Sequence, residues 1–378
     1  MSNPVVRANE PGDSLNKRAY RTIRGAIGLA IAIASATVAA APPSVTTYAT
    51  GLSNPRGLHF GPDGQLYVAE GGVGGSDMTI GQCTQVDSQT VGPYSGSRNG
   101  SWVTRIDGDG NKVVVTDPFP SSQTNPGSGG LTSGVADLAF IDGTMYVLTA
   151  GSGCSHGVAN TVNGIARVNA DGSWQMIADL STYQMSHPTQ VINPPDFEPD
   201  GTWWSMVAVR GALYAVEPNH GEMVKVTTDG AISRVVDVSA TQGHVVPTSV
   251  AYHGNFYVSN LGTFDSDQLN TESIFKITPS GQLQIVATGL SKVLGLVADG
   301  PTFYVLETSY STTSPGPVPF TGRILRIAPN GSQKVVADGF MFPTGLTMGP
   351  DGALYVSNFG FGLPAGAGEI KRVALTGE

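Results

Sequence analysis

A short phrase, an apolar residue followed by Tyr and a second apolar residue, recurs six times along the chain: Leu66-Tyr67-Val68, Met145-Tyr146-Val147, Leu213-Tyr214-Ala215, Phe256-Tyr257-Val258, Phe303-Tyr304-Val305 and Leu354-Tyr355-Val356. Each copy follows a turn, written GPDG at 61, IDG at 141, VRG at 209, YHG at 252, ADG at 298 and GPDG at 349. Such turns suit a strand reversing on itself, because Gly adopts positive φ without a Cβ penalty and Asp tolerates it. After each copy stands a basic residue and then Ile or Val: Arg105-Ile106, Arg167-Val168, Lys225-Val226, Lys276-Ile277, Arg326-Ile327 and Arg372-Val373. In the first five units a further turn (GDGN, ADGS, TDGA, PSGQ, PNGS) leads to a fourth strand. Four-stranded units repeated in this way bury their faces by stacking on their own copies, which is the logic of a propeller.

The sixth unit stops before its fourth strand. TTYATGL at 46–52 matches QIVATGL at 284–290, so the missing strand is available near the other end of the chain. Pairing it with the last unit closes the ring and removes the open edges. The predicted fold is therefore all-β, a six-bladed β-propeller over residues 41–378 closed by its N-terminal strand. Composition agrees, since 378 residues include 50 Gly and 25 Pro, which cost a helix about 1 and about 3 kcal/mol each. The intervals between Tyr214, Tyr257, Tyr304 and Tyr355 are 43, 47 and 51 residues, close to the roughly 40–50 of a four-stranded blade. The two earlier intervals are longer, 79 and 68, and imply insertions at about 71–100, 118–134, 151–163 and 181–203. In an up-and-down blade the tight turns share one face, while the second-to-third loops and the inter-blade links share the other. Every insertion falls on the second face, which marks it as the expected place for a small molecule or a protein to bind.

Residues 1–40 read differently. Lys17, Arg18, Arg21 and Arg24 precede the apolar run GAIGLAIAIASATVAA at 25–40, which ends in small residues and is followed by Pro42 and Pro43. This is the pattern of a secretory signal peptide, with an uncleaved anchor as the alternative; the run is shorter than the roughly 20 apolar residues that span a bilayer. A secreted or periplasmic location follows, with membrane contact only through the export signal. The net charge of −9 and the lack of a basic patch argue against nucleic acid as a partner.

Three residues past each repeated Tyr stands Glu70, Thr149, Glu217, Asn260, Glu307 or Asn358. These groups could form a ring able to hold calcium, which prefers oxygen ligands, or a polar substrate. Their repetition in every unit favours the other reading, in which each accepts hydrogen bonds from loop or neighbouring-blade backbone. The first strands, which line a propeller channel, begin at Arg56, Ala136, Ser205, Thr248, Leu294 and Thr344. Arg56 is the one charge among them, suited to an anion or to pairing with Glu70. The six basic residues of the third strands suit an outward, solvated face. Cys83 and Cys154 are the two cysteines, both following a second strand on the same face; they suit a disulfide, or else a thiol at Cys154 beside His156.

Other signals are weak. Asp265-Ser266-Asp267 with Asn270 and Glu272 lacks the Gly an EF-hand loop needs, and the six His at 59, 156, 187, 220, 244 and 253 show no metal spacing. No Gly-x-Ser-x-Gly, His-Glu-x-x-His or Walker loop is present, and Gly360-Phe361-Gly362-Leu363-Pro364-Ala365 suits a turn better than a dinucleotide site.

The phrases NPRGLHFGPDGQLYVAEGG at 54–72, GALYAVEPNHGEMVKVTTDG at 211–230 and FPTGLTMGPDGALYVSNFGFGLPAGAGEI at 342–370 resemble the ScyD/ScyE family of exported propeller proteins, over nearly the whole chain past the leader. The resemblance implies export and an accessory role, associated in cyanobacterial relatives with synthesis of the pigment scytonemin, and supplies no catalytic residues. More broadly the chain is similar to NHL-type and gluconolactonase-like propellers. The latter hold a metal with Glu, Asn and Asp around the channel, where this chain presents Arg56, Thr248 and Thr344. The expectation is a monomeric binding module acting through its loop-rich face, with Arg56, Glu70, Glu217, Asn260, Glu307 and Asn358 as ligand-binding candidates. The alternative is a calcium-assisted hydrolase or lactonase using the Glu and Asn ring.

Overall fold

The computed structural model describes residues 43–375, apart from 88, 90, 193, 195, 264–268 and 312–315. The leader at 1–40 and the Asp265-Ser266-Asp267 cluster lie outside the described residues. No described helix is long and apolar enough to cross a membrane.

Each repeated phrase forms the second strand of an antiparallel sheet, and six such sheets, five of four strands and the first of six, make the propeller blades. The innermost strands are Pro55–Phe60, Val135–Ile141, Ser205–Val209, Pro247–His253, Val293–Asp299 and Gly345–Met348. The last blade takes its outer strand from the start of the described chain: Ser44–Leu52 lies antiparallel to Gly368–Ala374, with Ser44 opposite Ala374 and Leu52 opposite Gly368. Two side chains also join this blade to the first, since Thr344 Oγ1 donates to the Pro55 carbonyl and Ser357 Oγ to that of Arg56, each at 2.6 Å.

Two of the turns before the second strands hold the Tyr that follows. In GPDG, Gly64 and Gly352 sit at φ of 74° and 72°, where a Cβ would be strained. The turn aspartates Asp63 and Asp351 then accept from Tyr67 and Tyr355 hydroxyls at 3.0 and 3.1 Å. The tyrosine rings meet the next blade edge-on: Tyr67 packs on Phe140, Tyr257 on Phe303 and Tyr355 on Phe60, at centroid distances of 5.0, 4.8 and 5.0 Å. Each such pair contributes about 0.5–1.5 kcal/mol beyond its area burial. The apolar core is accordingly divided into six clusters, each between two neighbouring blades.

The first blade departs from the expected plan. Its third strand runs twelve residues, Ser95–Ile106, where a loop to about residue 100 is expected from the sequence. The inner part pairs with Leu66–Glu70 and the extension with Phe119–Gln123, which in turn pairs with Thr132–Ser133. The insertions thus build a small sheet of their own, because the backbone of a long segment against the fold must find hydrogen-bond partners. Cys83 and Cys154 form a disulfide joining the insertions of the first two blades, which removes the alternative of a free thiol beside His156.

Candidate functional site

The inner strands start at the insertion-bearing face and run to the tight turns. Along Pro247–His253 burial fades from complete at Pro247–Val250 to exposed at His253, and Val293–Asp299 fades the same way. The central channel therefore meets solvent at the tight-turn face, opposite the insertions. Its cavity measures about 260 Å3 and has mixed walls, with Leu58, Val207, Val250, Leu296 and Leu346 beside Ser205, Ser249, Thr344 and Thr347.

One pair of titratable groups stands in those walls. His59 Nε2 lies 3.0 Å from Asp137 Oδ1. Asp137 is held from three blades: its own strand supplies the Leu138 N–H at 2.9 Å, and Met206 N of the third blade donates to Oδ2 at 2.7 Å. Gly57 makes the arrangement possible, because a Cβ there would stand 2.0 Å from Asp137 Oδ1. Burial alone would depress the imidazole, but the charge and hydrogen bond of Asp137 outweigh it and hold the His59 pKa above its usual value. Nδ1 of His59 has no partner among the described residues, and about a third of the side chain, 35%, is reachable by solvent. An imidazole oriented by a carboxylate, with its second nitrogen free, can donate to or accept from a molecule in the channel.

The channel is blocked at its other end. Trp204 lies across it, its indole N–H reaching the Leu294 carbonyl at 3.4 Å, and the Arg56 guanidinium stacks 4.7 Å from the Trp204 ring centroid. Arg56 also donates to the Thr132 carbonyl. It does not pair with Glu70, whose oxygens accept from Ser53 N at 2.5 Å and from the Thr104 hydroxyl.

That occupancy extends around the ring of strand-end groups. Glu217 accepts from Thr202 N at 2.8 Å and from His220 N; Glu307 accepts from Ser291 N at 2.7 Å and from Arg323 Nε. Asn260 donates to the Val245 carbonyl at 3.0 Å and accepts from Ser273 N, while Asn358 accepts from Met341 N at 2.9 Å and donates to Glu369. In five of six blades the side chain thus grips the link just ahead of its own inner strand. Thr149 instead bonds Gly164 on the next strand of its blade. Burial pushes the Glu70, Glu217 and Glu307 carboxyls above their usual range, against the pull of these donors. Calcium would need several converging oxygens; the ring's oxygens are engaged by backbone N–H groups and by the Thr104 and Arg323 side chains, and among the described residues no three His, Cys, Asp or Glu side chains converge to hold a metal. The residues present do not fit that ion.

The insertion-bearing face is knit by a buried polar cluster. Glu198 accepts from the Tyr94 hydroxyl at 2.9 Å and meets His156 Nε2 at 3.2 Å, while His156 Nδ1 lies 2.8 Å from the Ser152 carbonyl. Burial would lower the His156 pKa, but the hydrogen bond and charge of Glu198 raise it overall. The basic residues of the third strands are none of them buried, and Arg372 pairs with Asp351 at 2.8 Å.

No family model matches the chain, and no curated protein matches it. Solved structures do. The chain is similar to a Thermus thermophilus oxidoreductase described as a glucose dehydrogenase, at 15% identity and a TM-score of 0.54 over 88% of this chain and 100% of that one. An aldose sugar dehydrogenase of Streptomyces coelicolor, in its PQQ-bound form, aligns at 16% identity and a TM-score of 0.52 over 89% and 99%. A protein described as a gluconolactonase aligns at 13% identity and a TM-score of 0.50 over 88% and 91%. At such identities the likeness establishes the propeller fold and nothing finer.

Proposed function

We propose that this protein is an exported, monomeric propeller that binds a small molecule, part apolar and part hydrogen-bonding, in its central channel. The observation that carries this reading is the 260 Å3 cavity, blocked at one end by Trp204 and furnished with the His59–Asp137 pair. The Cys83–Cys154 bridge supports an oxidising location such as the periplasm or the exterior. A ScyD/ScyE-like accessory role rests on the resemblance of the segments at 54–72, 211–230 and 342–370. In this reading the strand-end ring serves the fold, and the insertion-bearing face is a rigid platform.

The test is a thermal-shift and calorimetric screen of small neutral aromatic alcohols, esters and lactones. Saturable binding that is lost when Ala251→Phe fills the channel supports the proposal. Binding that survives the filled channel, or that follows the insertion-bearing face instead, overturns it.

A hydrolytic reading has one observation in its favour, namely that His59 Nδ1 is free to act as a base on water while Asp137 orients the ring. Turnover of a lactone that is abolished by His59→Gln supports it. Turnover abolished by Glu70→Gln or Glu217→Gln but not by His59→Gln returns the chemistry to the ring.

A further inference from the structure

Six equivalent backbone amides edge the channel, and three of them are capped. In each blade the inner-strand residue opposite the one after the repeated Tyr is Leu58, Leu138, Met206, Val250, Leu296 or Leu346. Antiparallel pairs alternate between bonded and unbonded. The turns fix the parity: Gly61 N bonds the Gln65 carbonyl, Gly349 N bonds that of Ala353, and a two-residue turn joins Asp299 to Thr302. The six amides therefore point away from their own sheets, toward the axis. Blades two to four cap theirs, since Asp137 accepts from Leu138 N at 2.9 Å and Met206 N at 2.7 Å, and Ser205 Oγ accepts from Val250 N at 3.2 Å. In blades five, six and one, contiguous because the ring is closed, the positions that would supply a cap do not. Ser249 donates instead to the Leu294 carbonyl at 2.7 Å, and Gly295 and Gly345 carry no side chain. A Cβ at these glycines would stand 2.7 Å from Leu346 Cβ and 2.3 Å from the Arg56 carbonyl oxygen, so packing keeps both positions bare. The Leu58, Leu296 and Leu346 N–H groups thus have no side-chain acceptor among the described residues, and their parity denies them one in the sheet. Leu58 and Leu296 are 2% and 5% exposed. Shielded amides need a partner, and theirs has to come from whatever occupies the channel.

We propose that this arc is the acceptor subsite of the channel and that it selects a neutral carbonyl compound, a ketone or an amide, whose oxygen accepts from one or more of the three amides; the inference rests on the channel being the binding site. A carbonyl oxygen brings lone pairs and no hydrogen of its own, which is what a row of N–H groups lacks. One step deeper on the same strands, the Arg56 and Leu294 carbonyls are already taken by the Ser357 and Ser249 hydroxyls, so the deepest open groups on the arc are donors. No Lys or Arg among the described residues lines the cavity, and its one cationic group, His59, is matched by Asp137. A carboxylate would therefore give up its hydration without gaining a counter-ion. The arc ends beside His59, the residue after Leu58.

The experiment titrates the protein, labelled with 15N-leucine, with acetophenone, with α-methylstyrene, which has the same shape but a methylene in place of the oxygen, and with benzoate. Acetophenone is expected to bind about three- to tenfold more tightly than α-methylstyrene, the worth of one hydrogen bond, and more tightly than benzoate. It should also move the amide proton of Leu58, Leu296 or Leu346 downfield while that of Leu138, already capped, stays in place; Leu58→Ile, Leu296→Ile and Leu346→Ile each remove one peak and so assign them. Equal binding of acetophenone and α-methylstyrene, lost in both cases in Ala251→Phe, leaves the channel as the binding site and overturns the subsite. Tighter binding of benzoate, or no binding of acetophenone, overturns the subsite as well. Acetophenone binding that survives Ala251→Phe overturns the channel and the subsite together.

Discussion

Asp137 reaches across from the second blade to His59 of the first and Met206 of the third, so a single carboxylate fixes the geometry of the channel's polar pair. Gly57→Ala should break that pair with both members unsubstituted, because the new Cβ would stand 2.0 Å from Asp137 Oδ1 and displace the carboxylate. Titration of the His59 imidazole by NMR is expected to show its pKa falling back toward about 6.5 in this variant. An unchanged pKa would mean Asp137 does not set it. Neither residue stands out in the sequence. His59 is one of six scattered histidines, and Asp137 follows Ala136, the residue aligned as the channel position, by one place. Strand alternation decides which of two neighbours faces the axis, and the repeat, which recurs through Tyr and turn residues, carries no mark of it. Arg56, by contrast, is legible as the lone charge at the channel's end, although the expected partner is not the one it has.

At the scale of strands and loops, the repeat told most of the story because each blade must solve the same problem. In five blades the second strand ends beneath an inter-blade link whose backbone groups need partners, and Glu or Asn three residues past the Tyr supplies one, as acceptor in four and, at Asn260, as donor to the Val245 carbonyl. Glu217→Ala leaves the Thr202 and His220 N–H groups without that acceptor and should cost about 2–4 kcal/mol, measured by denaturant unfolding. A change under about 1 kcal/mol would remove the ring's structural role. The insertions obey no repeat, so the strand extension at Ser95–Ile106 and the cluster of Tyr94, Glu198 and His156 were beyond reach from spacing alone. Cys83 and Cys154, 71 residues apart, close a long loop. Replacing both with Ser is expected to lower stability by about 2–4 kcal/mol, while circular dichroism still reports intact blades.

For the molecule as a whole, cyclic closure turns six inter-blade cores into one cooperative unit. Removing residues up to Leu52 would leave Gly368–Ala374 as an open edge, and size-exclusion chromatography should then find aggregate in place of monomer. Acidity gives a second global signature. Glu70, Glu217, Glu222, Glu272 and Glu307 have pKa values raised by burial, and His59 and His156 have values raised by their carboxylate partners. A group whose folded pKa is raised stabilises fully below its unfolded pKa, and that stability is lost as pH climbs through the folded value. The carboxyls lose theirs above about pH 4.3 and the histidines above about pH 6.5, so the protein should melt higher near pH 5 than near pH 7.5. The reverse order would contradict these assignments.

A crystal structure of the protein soaked with whichever neutral fragment binds most tightly addresses the channel directly. Density inside the cavity, with a polar atom within hydrogen-bond distance of His59 Nδ1 and Trp204 still across the far end, is the expected result. Density on the insertion-bearing face above an empty channel would contradict the account.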